Sequence, residues 1–143
     1  MLVLTLGVCL QIASACDCRG LKVPDAVSHA QIIFRGTIVA LRDSAEKPEG
    51  RYGGRNYKIA VFAVNRVWKG EVKGIFEMPA PEEIADCVGS WPDLPRVGNE
   101  LLVYAQRSSP YRQYVTDICT RTQLSDKAAV DFKALGLGRE PSK

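Results

Sequence analysis

Histidine is nearly missing from this chain: its 143 residues hold one, His29. That argues against a catalytic zinc site built from the chain's own histidines. Strong charge of either sign is missing too. Nineteen Lys+Arg against sixteen Asp+Glu leave a net charge of +3, too little to require a nucleic-acid or anionic-membrane partner. No apolar run approaches the ~20 residues of a membrane-spanning helix, and no internal repeat is visible. Nor is there a nucleophile–base pair, a phosphate loop or a metal cluster. Glu82, Glu83, Asp17 and Asp86 are the paired acids, and alone they read as surface charges. The chain is therefore not expected to be an enzyme, and no cofactor is expected. With 46% hydrophobic and 24% charged residues, the balance that is present suits one globular domain.

Met1–Ala15 carries no charged side chain and has a short apolar core of Leu2, Val3, Leu4, Leu6, Val8, Leu10 and Ile12. It ends in Ala13-Ser14-Ala15, an A-x-A cleavage signal. Residues 1–15 thus read as a secretory signal peptide cut before Cys16, although the usual basic residue near Met1 is missing. The expected location is extracellular or periplasmic. A lipoprotein signal with a lipid on Cys16 is the alternative, and Ala13 stands where such signals usually have leucine.

The cysteines fit export. Cys9 leaves with the leader, and Cys16, Cys18, Cys87 and Cys119 remain, an even number that reads as two disulfides. A Cys16–Cys18 bridge would be strained, with one residue between them. Two pairings are left, and each ties the N-terminus to both Cys87 and Cys119. The loops are long, so each bridge is worth about 4 kcal/mol in the chain-entropy model. A zinc site from all four is the rival, but C-x-C with two isolated cysteines is poor zinc spacing.

The mature chain reads as mainly β. A short helix is expected over 23–30, with Pro24 at its start and Asp25 in its first turn. Ile32–Leu41 is a strand interrupted at Gly36, where a bulge is expected. Arg42–Asn56 is a polar connection. Its Arg51, Tyr52 and Arg55, with Tyr57, mix bases and aromatics as single-strand-binding barrels do, but in an exported chain a solvated hairpin is the expectation and no nucleic acid is expected. Tyr57–Trp68 is a second strand, apolar on both faces and ended by Lys69-Gly70. Gly74–Met78, Glu100–Gln106 and Gln113–Cys119 complete five strands. Pro79–Asn99 is a long connection. Ser125 is expected to cap a helix from Asp126 to Leu135 with Ala128, Ala129, Phe132 and Leu135 on its apolar face and Gly136 as its stop. Residues 137–143 read as a flexible tail. Trp68 and Trp91 are expected in the core, His29 as a packing or capping residue and Gln31 at a strand start. This count and spacing best match a five-stranded Greek-key barrel of the OB type.

Cys16-Asp17-Cys18 followed by His29-Ala30-Gln31-Ile32-Ile33-Phe34 resembles the opening of the tissue inhibitors of metalloproteinases, a family with a netrin-like fold. Those chains begin C-x-C and continue through H-x-Q-x-x-F into the first strand. Val67-Trp68-Lys69-Gly70 and Gly98-Asn99-Glu100-Leu101-Leu102-Val103 are similar to bacterial members of the group. The resemblance spans Cys16 to Leu135, nearly all of the expected domain at 16–136. It implies an OB-fold with disulfides Cys16–Cys87 and Cys18–Cys119. The chain departs from animal members in three places. Arg35 stands where they have a further bridged cysteine, their second cysteine-rich domain has no counterpart, and the gap from Cys18 to His29 is longer.

The resemblance also implies an activity, inhibition of a zinc metalloprotease. In the family the free α-amino nitrogen and the carbonyl oxygen of the first cysteine chelate the protease's zinc. An α-amino group with pKa near 7.7–8.0 binds zinc in its neutral form at modest cost, and a disulfide-clamped N-terminus loses little entropy on docking. Cys16 would act on the partner's zinc, Asp17 would enter the pocket beside the zinc, and Ala85-Asp86-Cys87 would flank it. Burying a carboxylate in an apolar pocket is unfavourable unless it is paired. The two acids Asp17 and Asp86 therefore suit a protease with a basic residue in that pocket. The alternative function is a non-inhibitory netrin-like protein-binding module, tethered by lipid at Cys16. A monomer is expected in either case.

Overall fold

The computed structural model describes residues 20–44, 57–81, 91, 94–108, 113–117 and 119–143. The fold is mostly β, an antiparallel sheet with two short helices. In chain order the elements are α1 (Val23–His29), β1 (Ile32–Asp43), β2 (Tyr57–Lys69), β3 (Ile75–Pro81), β4 (Glu100–Arg107), β5 (Tyr114–Val115), β6 (Gln123–Leu124), a 3₁₀ turn (Ser125–Lys127) and α2 (Ala129–Leu135). The strands lie in the order β3-β2-β1-β4-β5, and β6 pairs with β4. Among the described residues no pairing joins the two edge strands, so the sheet is not closed into the barrel expected from the sequence. Its coiling still brings Phe76 of β3 and Tyr114 of β5 together, with ring centroids 5.8 Å apart.

Strand side chains alternate between faces, and here both faces are covered. On β4, Leu101, Val103 and Ala105 enter one core with Phe34, Ile38, Phe62, Met78 and Trp91. Leu102 and Tyr104 enter a second core with Ala26, Ala30, Ile33 and Ala128, under the two helices. This explains the nearly continuous apolar run Leu101–Ala105, which one-sided burial would have broken with polar residues. Trp91 is in the first core, as expected. Trp68 is half-buried beside Phe132 (5.6 Å between ring centroids), and its Nε1–H donates to the Gly136 carbonyl at 2.9 Å.

The expected irregularity at Gly36 is present. The β1–β2 register shifts between Arg35 and Gly36, and again at two other points. A Cβ at Gly36 would come within 3.1 Å of the Ala63 carbonyl oxygen. Gly70, which ends β2, has a firmer requirement. It holds φ +70°, and a Cβ there would lie 2.6 Å from the Gln31 carbonyl oxygen. Gly70→Ala is therefore expected to destabilise the fold by about 1–3 kcal/mol, from a strained backbone together with a backbone clash. Thermal melts of the two proteins check this.

The helices differ in detail from the sequence expectation. Pro24 is the second residue of α1, after Val23, and Lys22 precedes the helix. The other end of α1 is capped by Lys69, whose Nζ donates to the carbonyls of Val27 and Ser28 at 2.6 and 3.4 Å. His29 lies exposed in the last turn. Gln31, exposed just before β1, accepts a hydrogen bond from the Arg107 backbone through its side chain.

Helix α2 begins at Ala129 rather than Asp126, because Ser125–Lys127 winds as a 3₁₀ turn. Ser125 does not cap it; its hydroxyl is buried and has no hydrogen-bond partner among the described residues. Ala129 is exposed, and the inward face holds Ala128, Asp131, Phe132 and Leu135. The strand expected over Gln113–Cys119 is reduced to Tyr114–Val115. Beyond it, Thr116 and Thr120 turn their hydroxyls on neighbouring backbone and side chains instead.

Residues 137–143, expected as a flexible tail, are pinned at two points. Val67 and Arg139 exchange backbone hydrogen bonds of 2.8 Å, and Ser142 bonds to Val72 and Gly74. The tail so continues the position of β3 along the edge of β2, where unpaired backbone groups would otherwise be exposed. The Arg66–Glu140 ion pair, 3.1 Å, adds a side-chain tie.

Candidate functional site

Burial leads to the turn between β5 and β6. Tyr104 lies on the second face of β4 and is fully buried. Ile33 of β1 is its partner on one side; on the other, between the pairings of β5 and β6, its backbone is satisfied by threonines. Its N–H donates to Thr122 Oγ1 at 2.8 Å, and its carbonyl accepts from Thr116 Oγ1 at 2.8 Å. Thr120 closes the turn, donating to the Asp117 carbonyl at 2.7 Å. The Asp117 carboxylate in turn accepts the Cys119 N–H at 2.9 Å. Cys119 is disulfide-bonded, and its partner lies outside the described residues.

Arg121 is the hub. Its guanidinium forks onto Asp131 of α2, Nε to Oδ1 at 2.6 Å and Nη2 to Oδ2 at 2.9 Å. The remaining donor, Nη1, reaches the Leu21 carbonyl at 2.7 Å, across a hundred residues of sequence. Asp131 also accepts from the Tyr104 hydroxyl at 2.7 Å and from Gln123 Nε2 at 3.0 Å. Its side chain is 2% exposed and that of Arg121 25%. Bidentate charge-assisted contacts of this kind are among the stronger hydrogen bonds in proteins.

Ionisation follows from this geometry. Burial pushes the Asp131 carboxyl up, but the hydrogen bonds from Arg121, Tyr104 and Gln123 and the Arg121 charge outweigh it and hold the group below the usual carboxylate range. The Asp131 hydrogen bond raises the Arg121 guanidinium further. Burial first, then the Asp131 contact, pushes the Tyr104 hydroxyl well above its ordinary value. The three groups thus stay Asp⁻, Arg⁺ and neutral Tyr over the whole neutral range.

Arg121 has φ +77° and, among the described residues, is the sole non-glycine at positive φ. That backbone strain is of order 1–2 kcal/mol. The N-terminal segment meets the turn here. A cavity of about 220 Å³ is lined by Leu21, His29, Tyr104, Asp117, Cys119 and Thr120. Leu21 packs its side chain against the second core while its carbonyl is held by Arg121.

Of the residues singled out in the sequence, Cys16, Asp17, Cys18, Ala85, Asp86 and Cys87 lie outside the described residues, as do Met1–Ala15, Glu82, Glu83, Arg51, Tyr52 and Arg55. Cys119 is described, on the turn with Asp117 and Thr120. Arg35 donates from Nε to Asn65 Oδ1 at 2.9 Å. Its guanidinium also lies 5.7 Å from the centre of the Phe132 ring.

Sequence reasoning missed the Arg121–Asp131–Tyr104 network. One signal was available: Asp131 falls three residues after Ala128 and four before Leu135, a carboxylate on the apolar stripe of a helix. Among the described residues no helix is long and apolar enough to cross a membrane. No family model matches this chain, and no curated protein does.

Proposed function

We propose that the processed chain is an inhibitor of a zinc metalloendopeptidase, acting through the free amine and carbonyl of Cys16. In this reading the domain is a netrin-like, partly open OB-fold, stapled by Cys16–Cys87 and Cys18–Cys119. The observation that carries the reading is the Arg121–Leu21 contact beside the disulfide-bonded Cys119. Leu21 is three residues from Cys18, and three residues span at most about 11 Å. A Cys18–Cys119 bridge, which needs Cα atoms about 4.4–6.8 Å apart, is thus within reach. The strand order β3-β2-β1-β4-β5 and the approach of the two edge strands support the barrel.

In this reading the disulfides tie the N-terminus to the turn that carries Cys119. Asp17 enters the protease pocket next to the zinc and Asp86 stands beside it. The target is a protease with a basic residue in that pocket, because an unpaired buried carboxylate would oppose docking. The amine binds zinc as a neutral donor, so inhibition strengthens as pH rises through about 7.7–8.0.

The test is a panel of zinc metalloendopeptidases assayed with the processed chain and with a variant carrying one alanine before Cys16. Inhibition by the first and a loss of at least about a hundredfold in the second are expected, since the added residue displaces the chelating amine. Equal potency of the two would contradict the mechanism and favour a binding module indifferent to the amine.

A further inference from the structure

We propose that Arg121 is a positioning residue for the segment that leads into α1: by gripping the Leu21 carbonyl it fixes the direction in which the chain enters the helix. The inference rests on the inhibitory reading above and assigns part of that reading's geometry to a residue far away in sequence.

Three observations carry it. The first is the use of the donors. Two of its nitrogens, Nε and Nη2, donate to Asp131, and the third, Nη1, donates to the backbone carbonyl of Leu21. A guanidinium serving only to neutralise Asp131 has no need of that third contact. The second is the backbone of Arg121. It holds a left-handed conformation that side chains other than glycine and asparagine rarely adopt, and such outliers persist where the surroundings over-determine them. The third is the order of the anchor. Asp131 is itself fixed by Tyr104 and Gln123, so the guanidinium is clamped from β4, β6 and α2 at once. The Leu21 carbonyl precedes α1 and takes no part in that helix, whose first backbone bond runs from Ala26 to Lys22. Cys119 and Arg121 then act as two ties on one short turn, one covalent and one polar. The covalent tie fixes distance. The polar tie fixes direction, because a planar fork aligned on a carboxylate also fixes the plane in which Nη1 presents its N–H groups to the Leu21 carbonyl.

The test uses the full processed chain. Arg121→Gly combined with Asp131→Asn removes the guanidinium and the buried charge together and relieves the strained φ, so the sheet should persist. Arg121→Lys is the second variant and keeps a cation without the fork. Hydrogen exchange at the α1 amides Ala26–Ala30 and inhibition of a zinc metalloendopeptidase are read for each. In the double variant, exchange at the α1 amides from Ala26 to Ala30, the first of which bonds back to Lys22, should accelerate about tenfold as the entry to the helix loosens, with core amides of β1, β2 and β4 unchanged. The inhibition constant should rise by a similar factor, and Arg121→Lys should fall between the two proteins in both measurements. Unchanged exchange at Ala26–Ala30, or acceleration spread evenly over the sheet, would overturn the inference. So would undiminished inhibition by the double variant. A wild-type chain that inhibits nothing removes the inhibitory reading, and the exchange data then decide the clamp alone.

Discussion

Arg121→Met is expected to destabilise the protein by about 3–5 kcal/mol, and more than Asp131→Ala does. The order follows from exposure. Removing Arg121 leaves a carboxylate whose side chain is 2% exposed with no cation to face. It must then be protonated or stay ionised in a poorly solvated site. Removing Asp131 leaves a guanidinium that is 25% exposed, still bonded to Leu21 and able to turn toward water. Urea unfolding of both variants with disulfides intact gives the comparison. Equal or reversed losses would mean that the pair is better solvated than its geometry implies.

The same network sets the pH range of stability. The Asp131 carboxyl is held below the value near 3.9 that it has in an unfolded chain. Folding therefore favours its ionised form, and the contribution is complete above about pH 5 and lost as pH falls through the folded value. Tyr104 runs the other way. Its folded value is raised, so its contribution is complete below about pH 9 and is lost as pH climbs past 10. Stability should be level between those limits with respect to these groups. In Asp131→Asn the acid limb from this group disappears, so its difference from the wild type should shrink below about pH 4.

The second large effect is expected at Phe34, which is fully buried in the first core. Its ring meets Phe62 edge-on at 5.4 Å and Phe76 at 5.3 Å. Phe34→Ala removes both contacts and opens a cavity under the middle of the sheet, where paired strands cannot collapse inward. A loss of about 3–5 kcal/mol is expected, against a typical domain total of about 5–15 kcal/mol. The midpoint of urea unfolding should fall with its slope unchanged. A loss under about 1.5 kcal/mol would show that Phe34 is not central to the core.

Much of the fold was legible because it is written in alternation and punctuation. β1, β2 and β4 appeared as runs of β-branched and aromatic residues, Gly36 announced its bulge, and Gly70 and Gly136 marked ends. What was not legible depends on non-local partners. Gln123–Leu124 is too short to carry a period, and it is a strand because β4 offers it an edge at Leu101 and Leu102. Ser125 looked like a helix cap, yet pairing of the two residues before it leads into a 3₁₀ turn that delays α2. The tail looked free because nothing in its sequence shows that the edge of β2 lies beside it. The candidate site divides in the same way. The C-x-C pattern was visible at once, whereas the Arg121 hub joins Leu21, Tyr104, Gln123 and Asp131, which share no spacing until the chain has folded.

The inhibitory account is tested most directly by the intact mass of the exported protein, recorded without reduction. The account predicts a chain beginning at Cys16, lighter by the four hydrogens of two disulfides and carrying no acyl group. A mass with a lipid on Cys16, a free thiol pair or any other first residue would contradict it.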